Sequence, residues 1–318
     1  MLPKLIPGTD PRDAAFEEVL SYASENSDLV VLTNDMGAQG LDKLKEVVPQ
    51  RVFNVGIAEQ NLFTIASGMA LSGFKVVVFG ISAHLFGRGY EQFRNDIALT
   101  NLPVVTIAVG AGLSYGSDGP THHGLHDISL LKTLPNVAIY CPSSSSCIKK
   151  STSEALKADR PSVIRIDKET VPEVEGNPLH SLGLNRFFGS ERAETVCISV
   201  GSKFTDAFKF ASCIESELGI EVGVLDISEY AGIAVQELLP IFQYANEVVI
   251  FQEETDKSIY LLILEVNHIL GRNLRIVGRP PEPEVLFGVT TRSTYNLDFS
   301  ETLSRFKIEK ASRLVNRE

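Results

Sequence analysis

The chain has 318 residues, 44% of them hydrophobic and 22% charged, and a formal net charge of −11. That length holds two domains with real cores, and the acidic balance argues against a nucleic-acid partner or an anionic membrane surface. No apolar run approaches the roughly 20 residues needed to span a bilayer. The first residues, MLPKLIPGTDPRDAAFEE, lack the apolar centre of a signal peptide. Cys141, Cys147, Cys197 and Cys213 are too scattered for a disulfide framework or a zinc pattern, so a reducing cytoplasm is expected.

The first element is a helix opened by DPRDAAFEEVLSYASE, with Asp10 as N-cap and Pro11 in the first turn. Six apolar runs follow: DLVVLTND (28–35), RVFNV (51–55), FKVVVFG (74–80), PVVTIAV (103–109), NVAIYC (136–141) and PSVIRI (161–166). Continuous Val/Ile runs with helical stretches between them predict buried strands of a parallel sheet. SSSS at 143–146, after Pro142, reads as a helix start. The stretch ETVPEVEGNPLHSLGLNRFFGSE is rich in turn residues and reads as a linker. A second series comes next: TVCISVG (195–201), EVGVLDI (221–227), NEVVIFQ (246–252) and NLRIVG (273–278). Between its first two strands, Phe204, Ala207, Phe208, Ala211, Cys213/Ile214 and Leu218 trace one helical face. The expected architecture is α/β: a parallel-sheet domain over 1–172, a linker over 173–190 and a smaller α/β domain over 191–318.

Three stretches of the first domain follow predicted strands, where the loops of a doubly wound sheet form a ligand crevice. They are GIAEQ (56–60), SAHLFGRGYEQFRNDIAL (82–99) and GAGLSYGSDGPTHHGLHD (110–127). Glu59 stands at the mouth of a helix of small apolar residues, NLFTIASGMALSG, where an unpartnered carboxylate is costly. An acid at a helix start also favours the dipole, which is the purely structural explanation. Four of the six histidines, His84, His122, His123 and His126, fall in these loops. HHGLH lacks the carboxylate spacing of a metal cluster, and no metal site is expected on this chain.

In their order, the three stretches resemble the transketolase family of thiamine-diphosphate enzymes over nearly the whole chain. The likeness is to the second half of split transketolases, with deoxyxylulose-phosphate synthase slightly further off. It implies a pyrimidine-binding domain followed by the family's C-terminal domain. It implies that Glu59 hydrogen-bonds a ring nitrogen of the cofactor's aminopyrimidine and favours the imino tautomer, which takes the thiazolium proton. The aromatic ring that the family sets against the pyrimidine falls near Ile81 to His84, here ISAH. His84 is a candidate to stack there, with Phe86 and Tyr90 as alternative rings. Arg88, Glu91 and Arg94 are alternatively helix-start and interface residues. Asp118 and His122 match the donor-binding Asp and His of DGPTH, and His123 is a further substrate-side candidate.

The chain also departs from the family. Of the cations that grip a sugar phosphate, Arg12 matches one, and Lys168, near Arg165, stands where the family has arginine. A third position falls on Gly110 and Ala111, so a thinned phosphate site is expected. The family's Mg²⁺-binding Gly-Asp-Gly does not occur in the chain. The resemblance therefore implies a separate N-terminal-type transketolase subunit that carries the Mg²⁺ and diphosphate ligands. It implies an assembly of two plus two chains, with Ala66, Gly68, Ala70 and Gly73 at a homodimer contact. A ketose or 2-oxoacid would be donor and an aldehyde or ketone acceptor of a two-carbon unit. An E1β-type subunit of a 2-oxoacid dehydrogenase and a degenerate, non-catalytic scaffold are the alternatives.

Overall fold

The computed structural model describes residues 2–278 and Ser304, so the rest of the expected 191–318 domain lies outside the described residues. In chain order the first unit contains β1 (Lys4–Ile6), α1 (Pro11–Glu25), β2 (Leu29–Thr33), α2 (Gln39–Val47), β3 (Val52–Asn54), α3 (Glu59–Leu71), β4 (Lys75–Ile81), α4 (Ser82–Arg88) and α5 (Tyr90–Gln92). It continues through a π turn at Phe93–Ala98, β5 (Val104–Val109), α6 (Asp127–Leu131), β6 (Ala138–Tyr140), α7 (Ser145–Lys157) and β7 (Ser162–Ile166).

All six predicted strands are present and form one parallel sheet in the order β3-β2-β4-β5-β7-β6. Every residue of β2, β5 and β7 is buried, as continuous Val/Ile runs require. Each large apolar side chain so buried contributes about 1.5–3 kcal/mol of transfer free energy. Asp10 caps α1 through Arg12 N, Pro11 occupies the first turn, and Ser144 caps α7.

The segment 173–190 is not a linker: it carries β8 (Glu173–Glu175), β9 (His180–Leu182) and β10 (Asn185–Gly189). β8 pairs antiparallel with β1, and β10 with β12 (Val222–Ile227). Phe187 and Phe188 are enclosed, so β10 belongs to the second sheet. The pattern is hidden in the sequence because these strands are only three to five residues long and lie between Gly, Pro and Asn turns.

The second unit continues through β11 (Thr195–Val200), α8 (Phe204–Leu218), β12, α9 (Val235–Phe242), β13 (Glu247–Phe251), α10 (Ser258–Leu270) and β14 (Arg275–Val277). Its sheet runs β14-β13-β11-β12-β10-β9, parallel from β14 to β12 and antiparallel beyond. One apolar cluster joins the two units, running from Phe63 and Phe86 through Leu131 and Ile139 to Leu225 and Tyr230.

The small-residue stripe on α3 divides. Ala66 and Ala70 pack inside the domain, whereas Gly68 and Gly73 face outward, and a β-carbon at either would meet nothing within 4 Å. Ile57, Leu71 and Leu99 are also exposed apolar residues, at 71%, 69% and 75%.

Candidate active site

Three parallel strands deliver the site at their carboxyl ends. Asn34 follows β2, α4 follows β4, and the loop 110–126 follows β5. Glu59 opens α3 and is 4% exposed. Its burial is compensated by two side chains that its place in the sequence does not announce. Asn34 Nδ2 donates to Glu59 Oε1 at 3.2 Å. Arg88 Nη1 donates to both carboxylate oxygens at 3.1 and 3.3 Å. The Arg88 side chain is half exposed, so it closes the pocket from the solvent side. Gly80, near the end of β4, gives the Asn34 amide its space: a β-carbon there would stand 2.8 Å from Asn34 Oδ1.

His84 Nδ1 lies 4.0 Å from Glu59 Oε1, and its ring centroid is 4.7 Å from that of His122. Burial, and then Arg88 and His122, hold its pKa below the ordinary imidazole range, with Glu59 and a backbone hydrogen bond with Thr121 acting in the opposite sense. His84 is therefore neutral at pH 7. Its Nε2 is buried without a hydrogen-bond partner, as is Asn34 Oδ1. Two orphaned polar atoms beside one buried carboxylate are the pattern of a site built to receive a polar ligand.

Ile81 ends β4, half-buried, immediately before α4. The two alternative rings are engaged elsewhere. Phe86 is enclosed in the core with ring centroids 6.2 Å from Phe63 and 5.4 Å from Phe93. The Tyr90 hydroxyl donates to Leu130 O at 3.2 Å and shares a hydrogen bond with Thr133 Oγ1. Phe86 thus packs against α3 and the π turn, and Tyr90 against the end of α6.

The loop 110–126 folds back on itself. His122 faces His84 and also Tyr115, at 5.5 Å between centroids, and its Nδ1 hydrogen-bonds Thr121 Oγ1 at 2.9 Å. His123 turns inward, with Nε2 donating to Gly116 O at 2.9 Å, so it braces the loop. Asp118 sits on an exposed turn with Lys168 Nζ 3.5 Å from its Oδ2. Lys168 Nζ also lies 4.5 Å above the Tyr115 ring.

Arg12 donates from Nε and Nη2 to both oxygens of Asp10, at 2.9 and 2.5 Å. The expected phosphate grip is thus partly occupied by the cap of its own helix. At Gly110, φ is +98° and a β-carbon would meet the Tyr115 ring at 2.3 Å. The aromatic ring takes the space that a larger residue at 110 would fill. Arg165 is fully buried and bonded to Asp127 and Glu254, so it does not reach the loop tip as a cation. Among the described residues no group of three or more His, Cys, Asp or Glu is placed to hold a metal ion, and no helix is long and apolar enough to cross a membrane.

Comparison with known proteins agrees with this fold. Residues 9–173 match the family described as transketolase, pyrimidine binding domain. The chain is 30% identical over 301 residues to 1-deoxy-D-xylulose-5-phosphate synthase of Carboxydothermus hydrogenoformans, covering 90% of this chain and 48% of that protein. It is 34% identical over 209 residues to 1-deoxy-D-xylulose-5-phosphate synthase 2 of Geobacter sulfurreducens, covering 64% and 33%. The chain thus spans about half the length, or less, of these curated relatives. A solved structure described as a split gene transketolase, inactive beta4 tetramer, superposes with a TM-score of 0.73 at 25% identity, covering 90% of this chain and 96% of that one. The transketolase of Campylobacter jejuni shares the fold, with a TM-score of 0.72 at 17% identity, covering all of this chain and 47% of that one.

Proposed function

The chain belongs to the transketolase pyrimidine-binding domain family, and from that premise we propose that it is the pyrimidine-side subunit of a two-chain, thiamine-diphosphate-dependent transferase. It moves a two-carbon ketol or acyl unit from a ketose or 2-oxoacid donor to an aldehyde or ketone acceptor. The observation that carries this reading is Glu59, buried beside the unpartnered Asn34 Oδ1 and His84 Nε2. A carboxyl group with adjacent free polar atoms fits an aminopyrimidine, which offers both ring nitrogens and an exocyclic amine. When bound, thiamine diphosphate supplies the carbanion chemistry.

The residues of this chain orient and protonate. Glu59 exchanges a proton with a ring nitrogen of the pyrimidine. Asn34 keeps the Glu59 carboxyl in place from the sheet side. Arg88 neutralises Glu59 from the solvent side, and its half-exposed side chain gives way to a ligand without unpacking the core. Neutral His84 forms the wall between Glu59 and His122 and is the ring closest to the pyrimidine position, with Ile81 before it. His122 handles protons on the substrate, where an imidazole works near neutral pH. Asp118, Lys168 and Arg12 hold the donor's hydroxyl and anionic groups at the rim.

The diphosphate and Mg²⁺ ligands come from a second chain in the cytoplasm, and the assembly contains two copies of each. The absence of Gly-Asp-Gly from the 318 residues supports a source for these ligands outside this stretch, and the match to nearly the full length of a split transketolase chain supports a separate chain as that source. The test is to purify this chain and add thiamine diphosphate and Mg²⁺, with and without a chain carrying Gly-Asp-Gly and a later Asn. The expected result is turnover of a ketose donor only in the pair, in an assembly of two plus two. Micromolar cofactor binding and turnover by this chain alone would contradict it.

A further inference from the structure

Among the described residues no hydrogen bond, ion pair or ring contact joins the second unit to Glu59, Asn34, Arg88 or His84, yet the second unit grips the loop that carries Asp118 and His122. The neck of that loop closes on itself: Gly112 N donates to Gly124 O at 3.1 Å, and Gly124 N to Gly112 O at 2.9 Å. Immediately after β13, the four residues Gln252–Thr255 lie across this neck. Glu253 Oε2 accepts from Leu113 N at 3.0 Å, a buried bond across 140 positions of sequence. Glu253 Oε1 pairs with Lys203 Nζ at 3.1 Å, which ties the contact to the start of α8. Thr255 donates from both N and Oγ1 to Leu125 O, at 3.0 and 2.9 Å. Beneath them Arg165, on β7, donates to Asp127 at 2.7 Å, to Gly124 O at 2.6 Å and to Glu254 at 2.5 Å. Burial alone would lower the Arg165 pKa, but Asp127 and Glu254 outweigh it and raise it, so the guanidinium stays charged.

Glycine at 112 is required twice over. Its φ is +56°, and a β-carbon there would stand 2.1 Å from Glu253 Oε2. The loop backbone and the Glu253 carboxylate occupy space that only a missing side chain makes available.

We propose that the second domain sets the position of the 110–126 loop, and that Glu253 is the positioning residue through which it does so. β7 holds the base of the loop through Ile166 O and Arg165, but Leu113 N and Leu125 O are held from outside the sheet, by Glu253 and Thr255. Displacement of Glu253 frees Leu113 N and lets the loop tip drift relative to Glu59 and His84. The consequence for catalysis rests on the proposed function, because it takes the loop to be substrate-facing. The mechanical claim does not.

Hydrogen–deuterium exchange of the full chain tests it. Glu253→Ala should speed exchange through the neck, around Leu113 and Gly124, by roughly tenfold, the factor expected for one lost buried hydrogen bond. β5 should be unaffected. Gly112→Ala should do the same from the loop side. The paired variant Lys203→Met with Glu253→Gln removes the charges but keeps an acceptor for Leu113 N, and the loop should remain protected. Unchanged loop exchange in Glu253→Ala would overturn the proposal. So would faster exchange spread evenly through β11, β12 and β13, which would assign Glu253 to the second sheet's own fold. A loosened loop with unchanged turnover in the assembled enzyme would leave the strap standing and count against the loop's part in the reaction.

Discussion

The floor and the rim of the site are built differently. At the floor Glu59 is 4% exposed and held by Asn34, with His84 beside it and Gly80 cleared to admit the amide. At the rim Asp118 and Lys168 are 46% and 44% exposed and 3.5 Å apart, and Arg12 is bound to its own helix cap. Fixed groups in a low-dielectric floor act strongly on whatever lies against them, whereas exposed, solvent-screened rim charges select weakly. Under the proposed function, the contrast fits an invariant partner, the cofactor, at the floor and exchangeable substrates at the rim.

Mutation at the floor should therefore have the largest effect. Glu59→Ala in the assembled enzyme should lower kcat by about 10³-fold or more, at the upper range of general acid–base contributions, with the fold intact by circular dichroism. A near wild-type rate would remove Glu59 from the chemistry. Between floor and rim, His122→Ala should slow donor processing by roughly 10²-fold. An unchanged rate with every donor tried would place His122 outside the site.

Much of this is legible in the sequence. Five of the six strands are buried continuous apolar runs, whereas β3, expected to be buried too, lies at the sheet edge with Phe53 exposed; the loops can be assigned to one end of the sheet because each follows a strand. Glu59, His84 and His122 converge as that order implies. What stays hidden is non-local. Asn34 and Arg88 meet Glu59 across 25 and 29 residues, and nothing in the spacing of TND or FGRG announces it. Arg165 leaves a signal, a cation inside the apolar run PSVIRI. In the sequence it reads as a neighbour of the phosphate site because its partners, Asp127 and Glu254, lie 38 and 89 residues away. Phe86 and Tyr90 are stacking candidates only through the resemblance, and in the structure Phe86 is enclosed in the core while the half-buried Tyr90 bonds Leu130 and Thr133.

Smaller effects sharpen the rim. Arg12 is already paired with Asp10, and Tyr115 fills the space over Gly110. Paired kinetics on a ketose and its phosphate ester should show a preference below 10³-fold, the factor of the roughly 4 kcal/mol that two charge-assisted contacts would provide. A larger preference would mean that other groups rebuild the clamp. Lys168→Ala should cost less than about tenfold in kcat/KM, as expected of an exposed ion pair.

The smallest effect concerns pH and the floor again. His84 has its pKa lowered in the folded chain by burial, then by Arg88 and His122, against Glu59. As pH falls below about 6.5, the ordinary imidazole value, the unfolded chain takes up this proton first. The native state then loses stability as pH drops through that value. Above it both states are neutral and His84 contributes no slope. Urea midpoints measured at pH 7.5 and 5.5 should fall less in His84→Asn than in the wild type. An equal or steeper fall in the variant would show that His84 is not held neutral.

At the centre stands the claim that Glu59 controls the proton on the cofactor rather than the shape of the pocket. The direct measurement is the rate of hydrogen–deuterium exchange at the thiazolium carbon of thiamine diphosphate bound to the two-chain assembly, read by NMR after acid quench. Glu59→Gln preserves shape and hydrogen-bonding capacity but cannot exchange the proton. Exchange in that variant should be slower by roughly 10²-fold or more, with cofactor still bound. Equal exchange rates in wild type and Glu59→Gln would contradict the claim.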